Sequence, residues 1–109
     1  MTNLIETKIK GVFSIEINEF SDSRGIFSNL FRYEDPYFKK LWGSRNINQV
    51  NISKNYRLGT TRGLHLQLGN AEEAKIVNCL KGEIFDVILD LRKNSKTYGE
   101  WVSINLSSQ

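Results

Sequence analysis

The stretch Val12-Phe13-Ser14-Ile15-Glu16-Ile17-Asn18 alternates apolar and polar residues, and this alternation decides the fold class. Successive side chains of a strand point to opposite faces, so Phe13, Ile15 and Ile17 share one face that must be covered. Just beyond it, Ser21-Asp22-Ser23-Arg24-Gly25 is turn chemistry, and Ile26-Phe27-Ser28-Asn29-Leu30-Phe31 resumes an extended run. These two runs are expected to pair as a hairpin. Extended segments follow over residues 48–53, 60–67, 75–80, 83–91 and 100–106. Gly59, Gly69-Asn70, Lys81-Gly82 and Lys93-Asn94-Ser95 punctuate them as turn residues do. One helix is expected: Asp35 caps, Pro36 takes the first position, Tyr37 to Trp42 wrap an apolar side, and Gly43 stops it. Short strands with one brief helix predict an all-β sandwich or barrel. A sheet ending after residue 106 leaves an edge to be covered by a partner chain or by further sequence.

The 109 residues suit one domain, 1–109. Hydrophobic residues at 39% and charged residues at 25% are an ordinary globular balance, and 11% aromatics suit a β-rich core. The net charge of +3 is mild, and the basic residues (Lys39-Lys40, Arg57, Arg62, Lys75, Lys81, Arg92-Lys93) are scattered. Nucleic-acid binders concentrate such charge in a stripe, so a nucleic-acid-binding barrel is the weakest of the readings. A small anion such as a diphosphate fits a mild positive bias better. Cys79 cannot form an internal disulfide and, within Ile76-Val77-Asn78-Cys79-Leu80, is expected to be a buried inert thiol. No run reaches transmembrane length and the opening Met1-Thr2-Asn3-Leu4-Ile5-Glu6 lacks an apolar leader segment, so neither membrane association nor export is expected, and the cytoplasm is the expected location.

Chemistry concentrates in Gly59-Thr60-Thr61-Arg62-Gly63-Leu64-His65-Leu66-Gln67, which holds the single histidine. A lone strand histidine is more often structural than catalytic. A metal site would need three or four ligands, and one Cys with one His cannot supply them. Used as a general base, His65 would draw on the capacity of an imidazole to accept and return a proton. Removing a proton beside a carbonyl also calls for a fixed cation near the developing enolate, and Lys75 is the candidate. Asp86, between Phe85 and Val87, is a half-buried carboxylate suited to orienting an imidazole. Arg62 suits a phosphate through bidentate bonds. Strict alternation would put Arg62 and His65 on opposite faces, unless a bulge at Gly63 turns both toward one cavity.

These residues resemble the dTDP-4-dehydrorhamnose 3,5-epimerase family of the cupin superfamily. The matching segments are Asp22-Ser23-Arg24-Gly25-Ile26-Phe27, Gln49-Val50-Asn51-Ile52-Ser53, Gly59 to His65, and Glu73-Ala74-Lys75-Ile76-Val77. They continue with Lys81-Gly82-Glu83-Ile84-Phe85-Asp86-Val87 and Asp90 to Gly99. The resemblance implies a cupin-like jelly roll, matching its amino-terminal part, with the sugar in its cavity and no metal or cofactor. By that likeness His65 removes the protons on C3 and C5 beside the C4 ketone, and Lys75 stabilises the enolate. Arg62 contacts the diphosphate and Gln49 lines the cavity. The hairpin with Arg24 and Phe27 reaches into a second subunit of a homodimer and helps hold the nucleotide. Asn29 stands where the family usually has Glu, which alters one nucleotide-side contact.

Family members are substantially longer, and their remaining part supplies a tyrosine acid, an aspartate that orients the base and a second site histidine. Tyr98 lies too early to be carried over as that acid. The leading expectation is epimerisation at C3 and/or C5 of a nucleotide-linked 4-keto-6-deoxy sugar. Its alternative is a non-catalytic nucleotide-sugar-binding or dimerisation module derived from the family.

Overall fold

The computed structural model describes residues 3–108. Its strands form antiparallel pairs: β1 (Asn3–Glu6) with β2 (Phe13–Glu16), β3 (Glu19–Asp22) with β4 (Gly25–Ser28), and β5 (Glu83–Leu89) with β6 (Trp101–Ser107). One helix, α1 (Pro36–Trp42), follows β4, and a single 3-10 turn spans Gly69–Ala71. The shape is open. The radius of gyration is 15.4 Å, where a compact chain of this length would have about 13 Å. The accessible surface is 9803 Å², against about 6,200 Å² for a closed monomer of this mass.

The hairpin forms with a different partner from the one expected. Asp22 faces Gly25 across a two-residue turn of Ser23 and Arg24, which sets Phe20 opposite Phe27. Tight turns fix register, so the partner of β4 is the segment directly before the turn, and residues 13–16 are left to another neighbour. That neighbour is β1, with Leu4 opposite Ile15, a strand the alternation had not marked. The tip of the β1–β2 hairpin tucks in Ile9, 2% exposed, beside the end of β5, and Lys8 pairs with Glu100 at 3.5 Å.

A second difference lies in residues 48–53, 60–67 and 75–80, which carry no ladder pairing. Alternation reports which face must be covered, but a strand exists only beside another whose N–H and C=O groups meet its own. Among the described residues none supplies that edge. Val50, Ile52, Leu64, Leu66 and Leu68 consequently face solvent. Cys79 is half-buried rather than buried, its thiol 3.4 Å from the Gly82 carbonyl.

The helix forms as the sequence predicts. The Asp35 carboxylate accepts from the Tyr37 N–H at 2.9 Å, Pro36 opens the first turn, and Gly43 at φ 63° ends it with its N–H on the Lys39 carbonyl. A left-handed φ costs a side-chain-bearing residue about 1 kcal/mol or more, which favours Gly at that stop. The helix drives Phe38 into full burial against Phe31, whose ring lies 5.0 Å away, and Phe31 meets Trp42 edge-on at 6.0 Å.

The connection between β5 and β6 is closed around Asp90, whose side chain is 1% exposed. Its carboxylate accepts from the Arg92 N–H, Nε and Nη2 at 3.0 Å each, from Thr97 Oγ1 at 2.7 Å, and from Ser95 Oγ. Backbone bonds from Asp90 to Glu100 (2.9 Å) and from Gly99 to Asp90 (2.8 Å) carry the ladder into the loop. The Arg92 guanidinium, then the Ser95 and Thr97 hydroxyls, hold the Asp90 carboxyl far below the usual carboxylate range. A folded-state pKa below the unfolded one, about 3.9, means the native chain keeps the anion where the unfolded chain would protonate. The network's contribution is therefore complete above about pH 5 and is lost progressively as pH falls below about 4. Asp90→Asn should melt well below the parent at pH 7, and the gap should narrow in thermal melts run from pH 5 down to pH 2. A gap that stays constant with pH would remove the charged network as its cause.

Candidate active site

The segment from Asn51 to Lys75 is shaped by turns and side-chain bonds rather than by ladders. Arg57-Leu58-Gly59-Thr60 is a hydrogen-bonded turn: the Arg57 carbonyl accepts from the Thr60 N–H at 3.3 Å and from Thr60 Oγ1 at 2.7 Å. Gly59, at φ 79°, supplies the positive φ required at its third position. Arg62 then donates from Nε to Asn55 Oδ1 at 2.8 Å, which ties the strand-like arm back to the stretch before the turn. The Nη atoms of Arg62 stay available. Lys54, Asn55, Tyr56, Arg57, Thr60 and Arg62 line a cleft of about 260 Å³.

Gly63 is not a bulge, since no ladder runs through it, but it does govern His65. It has φ 96°, and a Cβ built on it would lie 3.3 Å from His65 Cε1 and 3.4 Å from Nδ1. The imidazole thus packs over a position where any side chain would crowd it. His65 is exposed, and among the described residues no hydrogen bond or ion pair joins it to Lys75 or Asp86. The two arms that carry His65 and Lys75 are nevertheless joined. With the Gln67 amide assigned so that its nitrogen, not its oxygen, faces these two acceptors, it donates to Glu73 Oε1 at 2.9 Å and to the Ala71 carbonyl at 2.6 Å, closing the turn around Gly69–Ala71. Glu73 in turn pairs with Lys75 Nζ at 3.8 Å. Gln67 and Glu73 hold the arms together, a role that only spatial proximity reveals.

The remaining candidates sit apart from this pair of arms. Arg24 bonds its own turn: its N–H donates to Asp22 Oδ1 at 2.8 Å and its Nη2 to Oδ2 at 2.6 Å. This pairing lowers the Asp22 pKa and raises that of Arg24, yet the pair is solvent-exposed, so water screens it and Arg24 is readily released. Phe27 is exposed opposite Phe20, Asn29 is exposed just past β4, and Gln49 is exposed before the turn segment. Asp86 is half-buried on β5, opposite Ile104. Among the described residues no group of three or more His, Cys, Asp or Glu is placed to hold a metal ion.

The hairpins, the single short helix and the open sheets are those of a cupin-like jelly roll. The sequence model of dTDP-4-dehydrorhamnose 3,5-epimerase matches residues 6–109, and the chain belongs to that family. It is 41% identical to the dTDP-4-dehydrorhamnose 3,5-epimerase of Shigella flexneri over 98% of its own length and 58% of that relative's. It superposes with a TM-score of 0.90 on the crystal structure of the Bacillus anthracis enzyme with TDP and PPi bound, at 32% identity, covering 99% of this chain and 61% of that one. A TM-score of 0.81 at 32% identity relates it to the Legionella pneumophila dTDP-6-deoxy-D-glucose-3,5-epimerase in complex with dTDP-4-keto-L-rhamnose, over 99% of this chain and 56% of that one. The chain thus spans somewhat over half the length of each of these three relatives.

Proposed function

We propose that this chain takes part in epimerising a dTDP-linked 4-keto-6-deoxy sugar by removing and returning protons beside the ketone. The observation that carries this reading is the family match across the segments holding His65 and Lys75, on arms closed together by Gln67 and Glu73. His65 is accessible and serves as the base toward C3 and C5. A ketone at C4 acidifies both neighbouring C–H bonds, and the Lys75 ammonium offers positive charge to the enolate oxygen that forms. Arg62 meets the diphosphate through its available Nη atoms, and Gln49 contributes to the sugar cavity. Asp86 is the proposed orienter of the imidazole, which requires the arms to close onto β5.

Arg24, Phe27 and Asn29 act on the nucleotide of a second subunit in a homodimer. The exposed apolar side chains of that hairpin, Phe20, Ile26 and Phe27, support this part, because an isolated two-stranded hairpin is marginal without cover. The test is deuterium uptake at C3 and C5 when a dTDP-4-keto-6-deoxy sugar is incubated with the protein in heavy water. Uptake at one or both carbons is expected. A folded sample that binds dTDP without any uptake would replace the enzyme reading with that of a nucleotide-sugar-binding module.

A further inference from the structure

The cleft beside Arg62 holds more positive charge than one arginine requires. Its lining contains Lys54, Arg57 and Arg62 with Asn55, Tyr56 and Thr60, and not one carboxylate. Like charges gathered around one hollow repel one another and are relieved by an anion in it. The local structure fixes them there. Thr60 anchors the Arg57 carbonyl twice, the Gly59 turn folds Arg57 back toward Arg62, and Asn55 holds the Arg62 guanidinium by Nε alone. With Nε already bonded, the Nη atoms point their donors elsewhere, the fork geometry that suits phosphate oxygens. At about 260 Å³ the hollow admits a diphosphate with its water.

We propose that Lys54 and Arg57 are substrate-binding residues that complete, with Arg62, a three-cation cradle for the diphosphate of the nucleotide sugar. This rests on the nucleotide-sugar reading above and adds residues to it. Lys54 supplies a mobile point charge and Arg57 a second guanidinium, so the doubly charged diphosphate is matched by three cations rather than one. The cradle is exposed, so its contribution falls as salt rises.

The experiment is calorimetric titration of the protein with inorganic pyrophosphate and with dTDP at low and moderate salt. The parent is compared with Lys54→Gln/Arg57→Gln and with Lys39→Gln/Lys40→Gln, which removes the same charge from the helix. About tenfold weaker binding of both ligands is expected for the cleft variant only, with Arg57→Lys restoring part of the loss. Circular dichroism verifies that the variants fold. Equal losses in the cleft and helix variants, or an unchanged affinity in the cleft variant, overturn the cradle, and so does a parent that binds no pyrophosphate. Deuterium uptake separates this from the reading beneath it. Uptake with affinities unmoved by Lys54→Gln/Arg57→Gln sinks the cradle alone, whereas cleft-dependent pyrophosphate binding without uptake sinks the epimerase and leaves the cradle standing.

Discussion

His65→Asn is expected to lower deuterium uptake at C3 and C5 by about 10²–10⁴-fold, the span attached to loss of a positioned general base. Asparagine keeps a planar, hydrogen-bonding side chain of similar reach, but its amide does not accept a proton near neutral pH. The fold should be indifferent, because His65 is exposed and its contacts are with the backbone bend at Gly63. Binding of dTDP should also be unchanged, since the proposed nucleotide contacts lie at the Arg62 cleft and on the β3–β4 hairpin. The loss should therefore appear in the rate of exchange and not in affinity. Uptake that proceeds equally in parent and variant would show that another group takes the proton.

Phe38→Ala is expected to cost about 3–5 kcal/mol, the usual range for truncating a fully buried phenylalanine. Phe38 is 2% exposed and has the Phe31 ring at 5.0 Å, which in turn carries Trp42 at 6.0 Å. Few side chains among the described residues are buried to that degree, and alanine would leave the helix without its anchor. Typical domains hold about 5–15 kcal/mol in total, so a chain this open would be largely unfolded by the change. Urea denaturation followed by tryptophan emission measures it, with Phe38→Leu as the milder comparison. A midpoint for Phe38→Ala within error of the parent would mean that the helix contributes nothing to the cooperative unit.

How much was legible in the sequence depends on how far away each partner lies. The helix was readable to the residue, because Asp35, Pro36 and Gly43 act on backbone atoms within four positions of themselves. The turn at Ser23-Arg24 was readable too, but the partner of Ile26 and Phe27 was not. Apolar alternation marks Val12–Asn18, whereas Glu19–Asp22 offers Phe20 alone, so pattern favoured the wrong segment and turn length chose the right one. Strands β5 and β6 appeared close to their expected bounds, since an apolar-rich run broken by Asp86 faces an alternating one across a single connection. Residues 48–53, 60–67 and 75–80 show the opposite limit: their pattern is strand-like, but pairing is a property of two segments.

The candidate site divides in the same way. His65, Lys75 and Arg62 stand in short motifs, and it is the resemblance of those motifs to the family's, rather than residue type alone, that singles them out. Arg57 looked like scattered surface charge and Lys54 carried no signal of its own until the Gly59 turn brought them around one hollow. Gln67 and Glu73 carry no catalytic signature at all, and only their contact across the Gly69–Ala71 turn marks them as joining the two arms. Asp90, by contrast, has all its donors within seven positions, and the one Arg, one Ser and one Thr of the loop close upon it.

The openness of the molecule has a thermodynamic consequence. Its 9803 Å² of accessible surface means that much of what unfolding would uncover already meets solvent. Denaturant sensitivity and the heat-capacity increment both scale with newly exposed area. The transition of this chain should therefore be broad, with a shallow slope in urea and a flat stability curve for 109 residues. Addition of anything that seals the bare strands would steepen both.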